Sequence, residues 1–384
     1  MPGENTRTFA VMAKVVGGRC NLRCTYCYYT EKPTLLSQGY PRMPEDVLEA
    51  YVQQNFAING KDATVEFAWH GGEPTLGGID FFQRALELEK KYGQGRTVVN
   101  TLQTNATLLT DEWCDFFKKN GFLLGVSVDG PRELHDIYRV GPEGGSFARV
   151  LRSMELLRKH EVPFNTLATV NRGNEKYPGE VYDFLREYTD YMQFLPVVET
   201  QATLFEAEDG QHFAMPPGIK STFLRHPVTD FSVTPEGYGN FLCGVFDRWS
   251  EMDRGKKFVR IFEVTAGNMQ GRPSSLCVHN PLCGHAASVE VNGDVYPCER
   301  YVFQRYRLGN IVETPLEELM EKNRRFGMHK TYGLPKECFS CPYIKLCFGG
   351  CPKDRIVPAD MGEGRKNYLC PGYRIFFGHF LKNL

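Results

Sequence analysis

Three cysteines, Cys20, Cys24 and Cys27, stand at C-x3-C-x2-C spacing in one short loop directly after an apolar run, Phe9 to Val16. More than any other stretch, this one constrains the chain. Three thiolates so placed can hold three irons of a four-iron cluster and leave the fourth iron open to a small molecule. The alternatives are a zinc knuckle or three cysteines that are simply buried. Zinc needs a fourth ligand nearby, and none follows within the loop.

The rest of the composition narrows the setting. Thirteen cysteines in 384 residues need an explanation. The odd number counts against a complete disulfide framework, and clustered spacings point to metal. A net charge of −1 argues against a general affinity for nucleic acid or an anionic membrane. No run of about 18 apolar residues occurs. The polar stretch Met1 to Thr8 has no signal-peptide core. A cytoplasmic chain of two or three domains is expected.

Six short, mostly apolar runs read as strands: Phe9–Val16, Thr64–Trp69, Thr97–Gln103, Leu123–Val128, Phe164–Val170 and Tyr191–Pro196. Helical patterns lie between them. Pro44–Ile58 has Pro44 at the first helical position. Thr110–Asn120 and Ser146–His160 open on Thr110 and Ser146 as N-caps. Six β/α units in series predict a parallel sheet, curved into a partial barrel or left open. Ligands of such sheets sit at the C-terminal strand ends. Cys20, Gly71–Pro74, Thr104–Asn105, Ser127–Asp129, Asn171 and Leu195–Pro196 all fall there.

After Pro196 the pattern breaks. Residues 200–235 read as a binding loop or disordered insert. Thr234–Met252 reads as a helix capped by Thr234, with Pro235 following. Asn292-Gly293 between Ala287–Val291 and Val295–Tyr296 signals a hairpin. The remainder carries little regular pattern, so metal is expected to hold it together. The predicted division is residues 1–235 and 236–384.

Two further constellations carry chemistry. Gly71-Gly72-Glu73-Pro74 lets a ligand approach backbone closely, and Glu73 can accept from an ammonium group; an ordinary turn is the alternative. Eight cysteines crowd the C-terminal region: Cys277, Cys283, Cys298, Cys338, Cys341, Cys347, Cys351 and Cys370. They suffice for two four-cysteine sites, of iron–sulfur or of zinc. Three plus eight leaves Cys114 and Cys243 as spare thiols in helical patterns.

With Tyr26 just before its last cysteine, the triplet resembles the C-x3-C-x-aromatic-C signature of the radical S-adenosylmethionine (SAM) superfamily. The C-terminal array resembles its SPASM extension. Trp69 to Pro74, Gln103-Thr104-Asn105, Ser127 to Pro131, Gln193 to Pro196 and Asn292 to Cys298 are similar, nearly end to end, to anaerobic sulfatase-maturating enzymes.

The resemblance implies an α/β fold: a partial (β/α)6 barrel core with a cysteine-rich SPASM domain. It implies three [4Fe–4S] clusters and SAM as cofactors. Cys20, Cys24 and Cys27 would hold the cluster that SAM chelates. Cys277, Cys283, Cys298 and Cys351 would hold a first auxiliary cluster, and Cys338, Cys341, Cys347 and Cys370 a second. Tyr26, Gly71, Gly72, Glu73, Pro74, Asn105, Ser127, Arg139 and Leu195 would form the SAM site. There Glu73 would meet the amino group, Ser127 and Arg139 the ribose and carboxylate, and Leu195 the adenine.

The implied reaction converts a peptidyl cysteine or serine, in a C/S-x-P-x-R segment of a sulfatase, to Cα-formylglycine. A 5′-deoxyadenosyl radical would take a Cβ hydrogen, a base the side-chain proton, and an auxiliary cluster one electron. Flavodoxin or ferredoxin is the kind of electron donor implied. Tyr29 and His70 would face the substrate. The family places an aspartate, proposed as the base, where this chain has Glu299. Glutamate is one methylene longer, so either Glu299 acts in a shifted pocket or the enzyme modifies another peptide by cross-linking, epimerisation or dehydrogenation.

Overall fold

The computed structural model describes residues 8–29, 39–200, 228–362 and 364–384. The 200–235 insert therefore lies mostly outside the described residues. Within them the chain forms two compact units. One contains the residues up to Val126, with Gly141–Phe164 and Gly284–Gly327. The other contains Ser127–Val140, Asn165–Cys283 and Met328–Leu384.

In the first unit, β1 (Ala10–Lys14), β2 (Val65–His70), β3 (Val98–Thr104) and β4 (Leu123–Ser127) pair in parallel and in sequence order. The second has β5 (Phe164–Val170), β6 (Tyr191–Pro196) and the two-residue β7 (Phe258–Val259), also parallel. All six strands read from the sequence are present, each displaced by two residues or fewer at either end.

Parallel strands need crossovers, and helices supply them. α1 (Glu45–Ile58), α2 (Ile79–Gly93), α3 (Asp111–Asn120) and α4 (Phe147–Lys159) belong to the first unit. Thr110 caps α3 by accepting from the Trp113 N–H at 3.4 Å. Ser146 stands at the cap position of α4 but makes no side-chain cap bond there. Pro44 lies just outside α1, in extended geometry, rather than as its first residue. An aromatic core runs under this sheet: Tyr51, Phe67, Trp69, Phe82, Phe117 and Phe122 are each nearly or wholly excluded from solvent.

On the other edge of β1, β8 (Ala286–Val289) pairs in parallel, and β9 (Asp294–Tyr296) returns antiparallel beside it. The turn is the predicted one: Gly293 has φ +86°, a left-handed conformation natural to glycine. A two-residue β10 (Gly309–Asn310) extends this edge. The chain thus adds segments near residue 290 to the flank of its first strand, which no local pattern predicts.

In the second unit, α5 (Pro178–Arg186), α6 (Pro235–Met252), α7 (Arg260–Met269) and α9 (Cys370–Lys382) pack together. Thr234 caps α6 as expected, accepting from the Gly237 N–H at 3.0 Å. α6 and α9 touch backbone to backbone: a Cβ on Gly372 would lie 2.0 Å from the Pro235 carbonyl oxygen. α9 and α8 (Leu316–Tyr332) correct the expectation that the C-terminal stretch holds little regular structure. α8 is mostly polar, and α9 carries Pro371 and Gly378 and buries Tyr373, Phe376, Phe377 and Phe380. A stripe read from so few or such irregularly spaced apolar residues escapes periodicity.

Candidate active site

Cys20, Cys24 and Cys27 line one cavity of about 610 Å³ with Tyr29, Gly71 and Gly72. The loop after β1 carries the thiols, and the loop after β2 carries the glycines. Hydrogen bonds tie the two: the Gly72 N–H donates to the Gly17 carbonyl at 2.7 Å and the Glu73 N–H to the Arg19 carbonyl at 2.9 Å. A Cβ on Gly72 would sit 2.0 Å from the Arg19 carbonyl oxygen, so only glycine fits. Tyr26, between the second and third cysteines, is buried.

Cys20 is exposed, and its Sγ accepts from the Leu22 N–H at 3.4 Å and the Asn105 amide at 3.5 Å. Three thiols on one cavity suit a thiolate-held iron–sulfur cluster.

Behind this cavity Glu73 is wholly buried. Its Oε1 accepts from the Thr75 N–H (3.1 Å), the Thr75 hydroxyl (2.7 Å) and the Thr104 hydroxyl (2.8 Å), and its Oε2 from the Asn105 N–H (2.7 Å). Burial raises its pKa and these donors oppose the rise. Pro74 then opens a short 3-10 turn, Pro74–Gly77, capped by Glu73. Asn105 is itself buried. Its amide donates to Cys20 Sγ at 3.5 Å and to Asn21 Oδ1 at 2.9 Å. The residues expected to hold SAM's amino end are therefore first the braces between strand ends β2 and β3 and the cysteine loop.

The next cluster was not foreseen in full. Lys14 and His70 are register partners on β1 and β2, so their side chains share a face. Lys14 Nζ lies 3.0 Å from His70 Nδ1, 3.5 Å from Glu299 Oε2 and 4.5 Å from the centre of the Tyr29 ring. His70 Nε2 lies 3.8 Å from the same Glu299 oxygen. Lys14 is buried, while the His70 and Glu299 side chains are 28% and 27% exposed. Burial, then the Lys14 charge, pushes His70 down to about 4 against the opposing pull of Glu299 and of a hydrogen bond with the Gly71 backbone. Burial acts to raise Glu299, but Lys14, His70, Arg300 and Tyr28 together bring it down to about 2. Tyr29 is buried too. Its hydroxyl donates to Glu290 Oε1 at 2.6 Å while its ring lines the cavity. Lys14 escaped the sequence reading because one charge at the end of an apolar strand looks like an ordinary strand terminus.

The second unit holds the other expected residues. Ser127 ends β4 and is half-buried. Arg139 is not a lone cation: its Nε lies 2.9 Å from Asp129 Oδ2, both side chains buried. Asp129 Oδ1 accepts from the Thr169 N–H and hydroxyl at 2.9 and 2.7 Å, and Thr169 faces the half-buried Leu195 across β5 and β6. These positions thus share one strand-end neighbourhood.

Seven of the eight C-terminal cysteines lie in this unit. Cys347, pushed up to about 12 chiefly by burial, also feels Cys370, Cys338 and Cys341. Cys351, also about 12 and also chiefly through burial, feels Cys277 and Cys283. The eighth, Cys298, belongs to the first unit and directly precedes Glu299 in a short 3-10 turn. A donor set made of thiols suits iron–sulfur ligation. Cys114 lies in α3 and Cys243 in α6.

Comparison with known proteins identifies the family. The Radical SAM superfamily matches residues 15–185, and the SPASM iron–sulfur cluster-binding domain matches residues 283–342. A serine-type anaerobic sulfatase-maturating enzyme of Bacteroides thetaiotaomicron is 44% identical over 375 residues, 96% of this chain and 88% of that one. A cysteine-type enzyme of Clostridium perfringens is 33% identical over 383 residues, 98% and 97% of the two chains. The solved structure of "native anSMEcpe with bound AdoMet and Cp18Cys peptide" superposes with a TM-score of 0.81 at 30% identity, covering 97% of this chain and 96% of that one. Streptococcus suis SuiB bound to its precursor peptide SuiA, at 16% identity and TM-score 0.60, shares the fold.

Proposed function

The chain belongs to the anaerobic sulfatase-maturating enzymes of the radical SAM superfamily, and from that premise we propose that it oxidises a cysteine or serine of a sulfatase peptide to Cα-formylglycine. Its fold class is the expected one, a partial (β/α)6 barrel core with a SPASM domain, and its cofactors are SAM and [4Fe–4S] clusters, three by cysteine count. We assign residues 1–235 to the core and 236–384 to the bridging helix and SPASM domain.

Cys20, Cys24 and Cys27 would hold the SAM-binding cluster. Cys277, Cys283, Cys298 and Cys351 would hold one auxiliary cluster, and Cys338, Cys341, Cys347 and Cys370 the other. Bound there, SAM and its cluster supply hydrogen-atom abstraction from the substrate Cβ. The chain's own residues do the rest. Glu73 and Asn105 brace the loops and would meet SAM's amino end, Tyr26, Gly71, Gly72 and Pro74 would shape its seat, and Ser127, Arg139 and Leu195 would take its nucleoside and carboxylate. Glu299 takes the proton of the substrate thiol or hydroxyl; Tyr29 and His70 flank the substrate. Lys14 helps to hold this carboxylate ionised, which leaves it free to accept a proton but weakens it as a base.

The observation that carries this reading is the convergence of Lys14, His70 and Glu299 at the strand ends, with the cysteine-lined cavity bordered by Tyr29. A glutamate there keeps the carboxylate that proton removal requires. The superposed relative has a peptide bound, which supports a peptide substrate. Flavodoxin or ferredoxin is the proposed electron donor and the cytoplasm the proposed compartment. Among the described residues no helix is long and apolar enough to cross a membrane.

The test is anaerobic reconstitution with SAM, reductant and peptides bearing C-x-P-x-R or S-x-P-x-R. Aldehyde-containing product from either peptide supports the assignment. Deoxyadenosine without any change in either peptide overturns the sulfatase substrate, and no deoxyadenosine from a fully loaded enzyme overturns the radical chemistry.

A further inference from the structure

Lys14 sits where the two half-exposed side chains of the site meet. An ammonium group has three N–H donors and no acceptor. Here its three neighbours are His70 Nδ1 at 3.0 Å, Glu299 Oε2 at 3.5 Å and the face of the Tyr29 ring at 4.5 Å. Each of the three is electron-rich, so the buried cation is surrounded by partners of the right sign.

This has a consequence for His70. A neutral imidazole has one donor nitrogen and one acceptor. Because Lys14 can only donate, Nδ1 must accept. The ring proton is then on Nε2, the atom 3.8 Å from Glu299 Oε2. That separation is too long for a direct hydrogen bond. It does fit a third atom: a heteroatom about 2.9 Å from both would stand at the apex of a triangle on this 3.8 Å base.

We propose that Lys14 is a positioning residue that locks His70 in its Nε2–H tautomer, so that His70 donates to the substrate's side-chain oxygen or sulfur while Glu299 accepts that same atom's proton. The two side chains then divide one task. The His70 N–H engages a lone pair of the substrate heteroatom and makes its proton more acidic. The proton passes to Glu299, which becomes a neutral carboxylic acid, and His70 gains and loses none. This deepens the reading of Glu299 as the base and rests on it. The register pairing of β1 with β2 places Lys14 beside His70, so the device is built into the sheet rather than into a loop.

The test combines a spectroscopic and a kinetic readout. Holoenzyme reconstituted anaerobically, with clusters oxidised and histidine labelled with 15N, is compared with His70→Gln to identify the His70 signals by NMR. The expected spectrum is a neutral ring protonated at Nε2, which in Lys14→Met becomes a tautomer mixture. Protonation at Nδ1, an imidazolium, or a spectrum unmoved by Lys14→Met overturns the proposal.

In turnover assays, glutamine at position 70 can accept from Lys14 and donate to the substrate. His70→Gln is therefore expected to stay within about 10-fold of wild type, whereas His70→Phe loses about 100-fold in kcat. Equal loss in both shows that His70 exchanges a proton and overturns the donor role. Lys14→Arg is expected to recover most of the activity that Lys14→Met loses. Full activity in Glu299→Gln would remove Glu299 as the base, and with it the division of labour, while the NMR result would still decide the tautomer lock by itself.

Discussion

The buried carboxylate of Glu73 accepts the backbone N–H of Asn105 at 2.7 Å, joining the loop after the second strand to the end of the third. Because Glu73 also takes three donors from Thr75 and Thr104, an amide cannot replace it without setting one donor against another. Glu73→Gln is expected to lower stability by about 2 kcal/mol and to weaken SAM binding at least about 10-fold. Denaturant unfolding and equilibrium SAM binding, measured on the same preparation, check the two effects separately. Unchanged SAM affinity in a folded variant would leave Glu73 a brace alone.

Gly72 permits the closest backbone approach at the cavity. Gly72→Ala would place a methyl carbon 2.0 Å from the Arg19 carbonyl oxygen, and the contact atom is backbone that cannot swing away. A destabilisation of about 3 kcal/mol is expected, together with loss of iron from the Cys20 loop, read by iron analysis and by the absence of SAM cleavage.

Iron content tests the thiol assignments directly. About twelve irons per chain are expected for three four-iron clusters, and Cys341→Ala should lower that to about eight. Cys114→Ala and Cys243→Ala, in the helices α3 and α6, should leave it unchanged. Stoichiometric zinc with only about four irons would overturn both auxiliary sites.

Glu299→Gln keeps the shape of the side chain and removes its capacity to accept a proton. A loss of about 100-fold or more in aldehyde formation is expected, with SAM affinity kept near wild type. Measuring deoxyadenosine alongside aldehyde separates the hydrogen-atom step from the proton step, and a loss of SAM binding instead would make Glu299 part of the SAM site.

Away from the site, buried Glu89 on α2 is pushed by desolvation from 4.5 up to about 7, against the lowering contact with Asn100. A carboxyl raised in the folded state favours folding when protonated. Its contribution is complete below the unfolded value and disappears as pH rises through the folded one. Stability is thus expected to fall by about 2 kcal/mol between pH 5.5 and 8.5 on this account. Glu89→Gln should remove that slope, as read from unfolding midpoints at the two pH values.

Much of this was legible beforehand. The six strands announced themselves because short β-branched and aromatic runs between turn residues have few other uses. Thr110 and Thr234 marked their helices because a hydroxyl at that position satisfies an otherwise unpaired N–H. α8 and α9 were not legible. α9 is aromatic on its buried side and interrupted by glycine and proline, and it is held by its contact with α6 rather than by its own propensity. The resemblance points Arg139 toward SAM, but the sequence does not show that Asp129 already stands 2.9 Å from it.

The sequence by itself determined the chemistry available to this protein. For Cys20, Cys24 and Cys27 spacing is enough, because ligands a few residues apart are confined to one loop whatever the rest of the chain does; the C-terminal sets, which part Cys347 from Cys351, come from the resemblance alone. Gly72 and Glu73 likewise act within the reach of their own turn. Only the tertiary structure decided which groups stand together where proton transfer is proposed. Lys14, His70 and Glu299 are separated by 56 and 229 positions, and no spacing rule relates them. Parallel pairing of β1 with β2 sets Lys14 beside His70, and the hairpin added to the other edge of β1 leads the chain on to Glu299. A lone lysine at a strand end carries no meaning until the sheet gives it neighbours, because its effect falls off within a few ångströms and those ångströms belong to other strands.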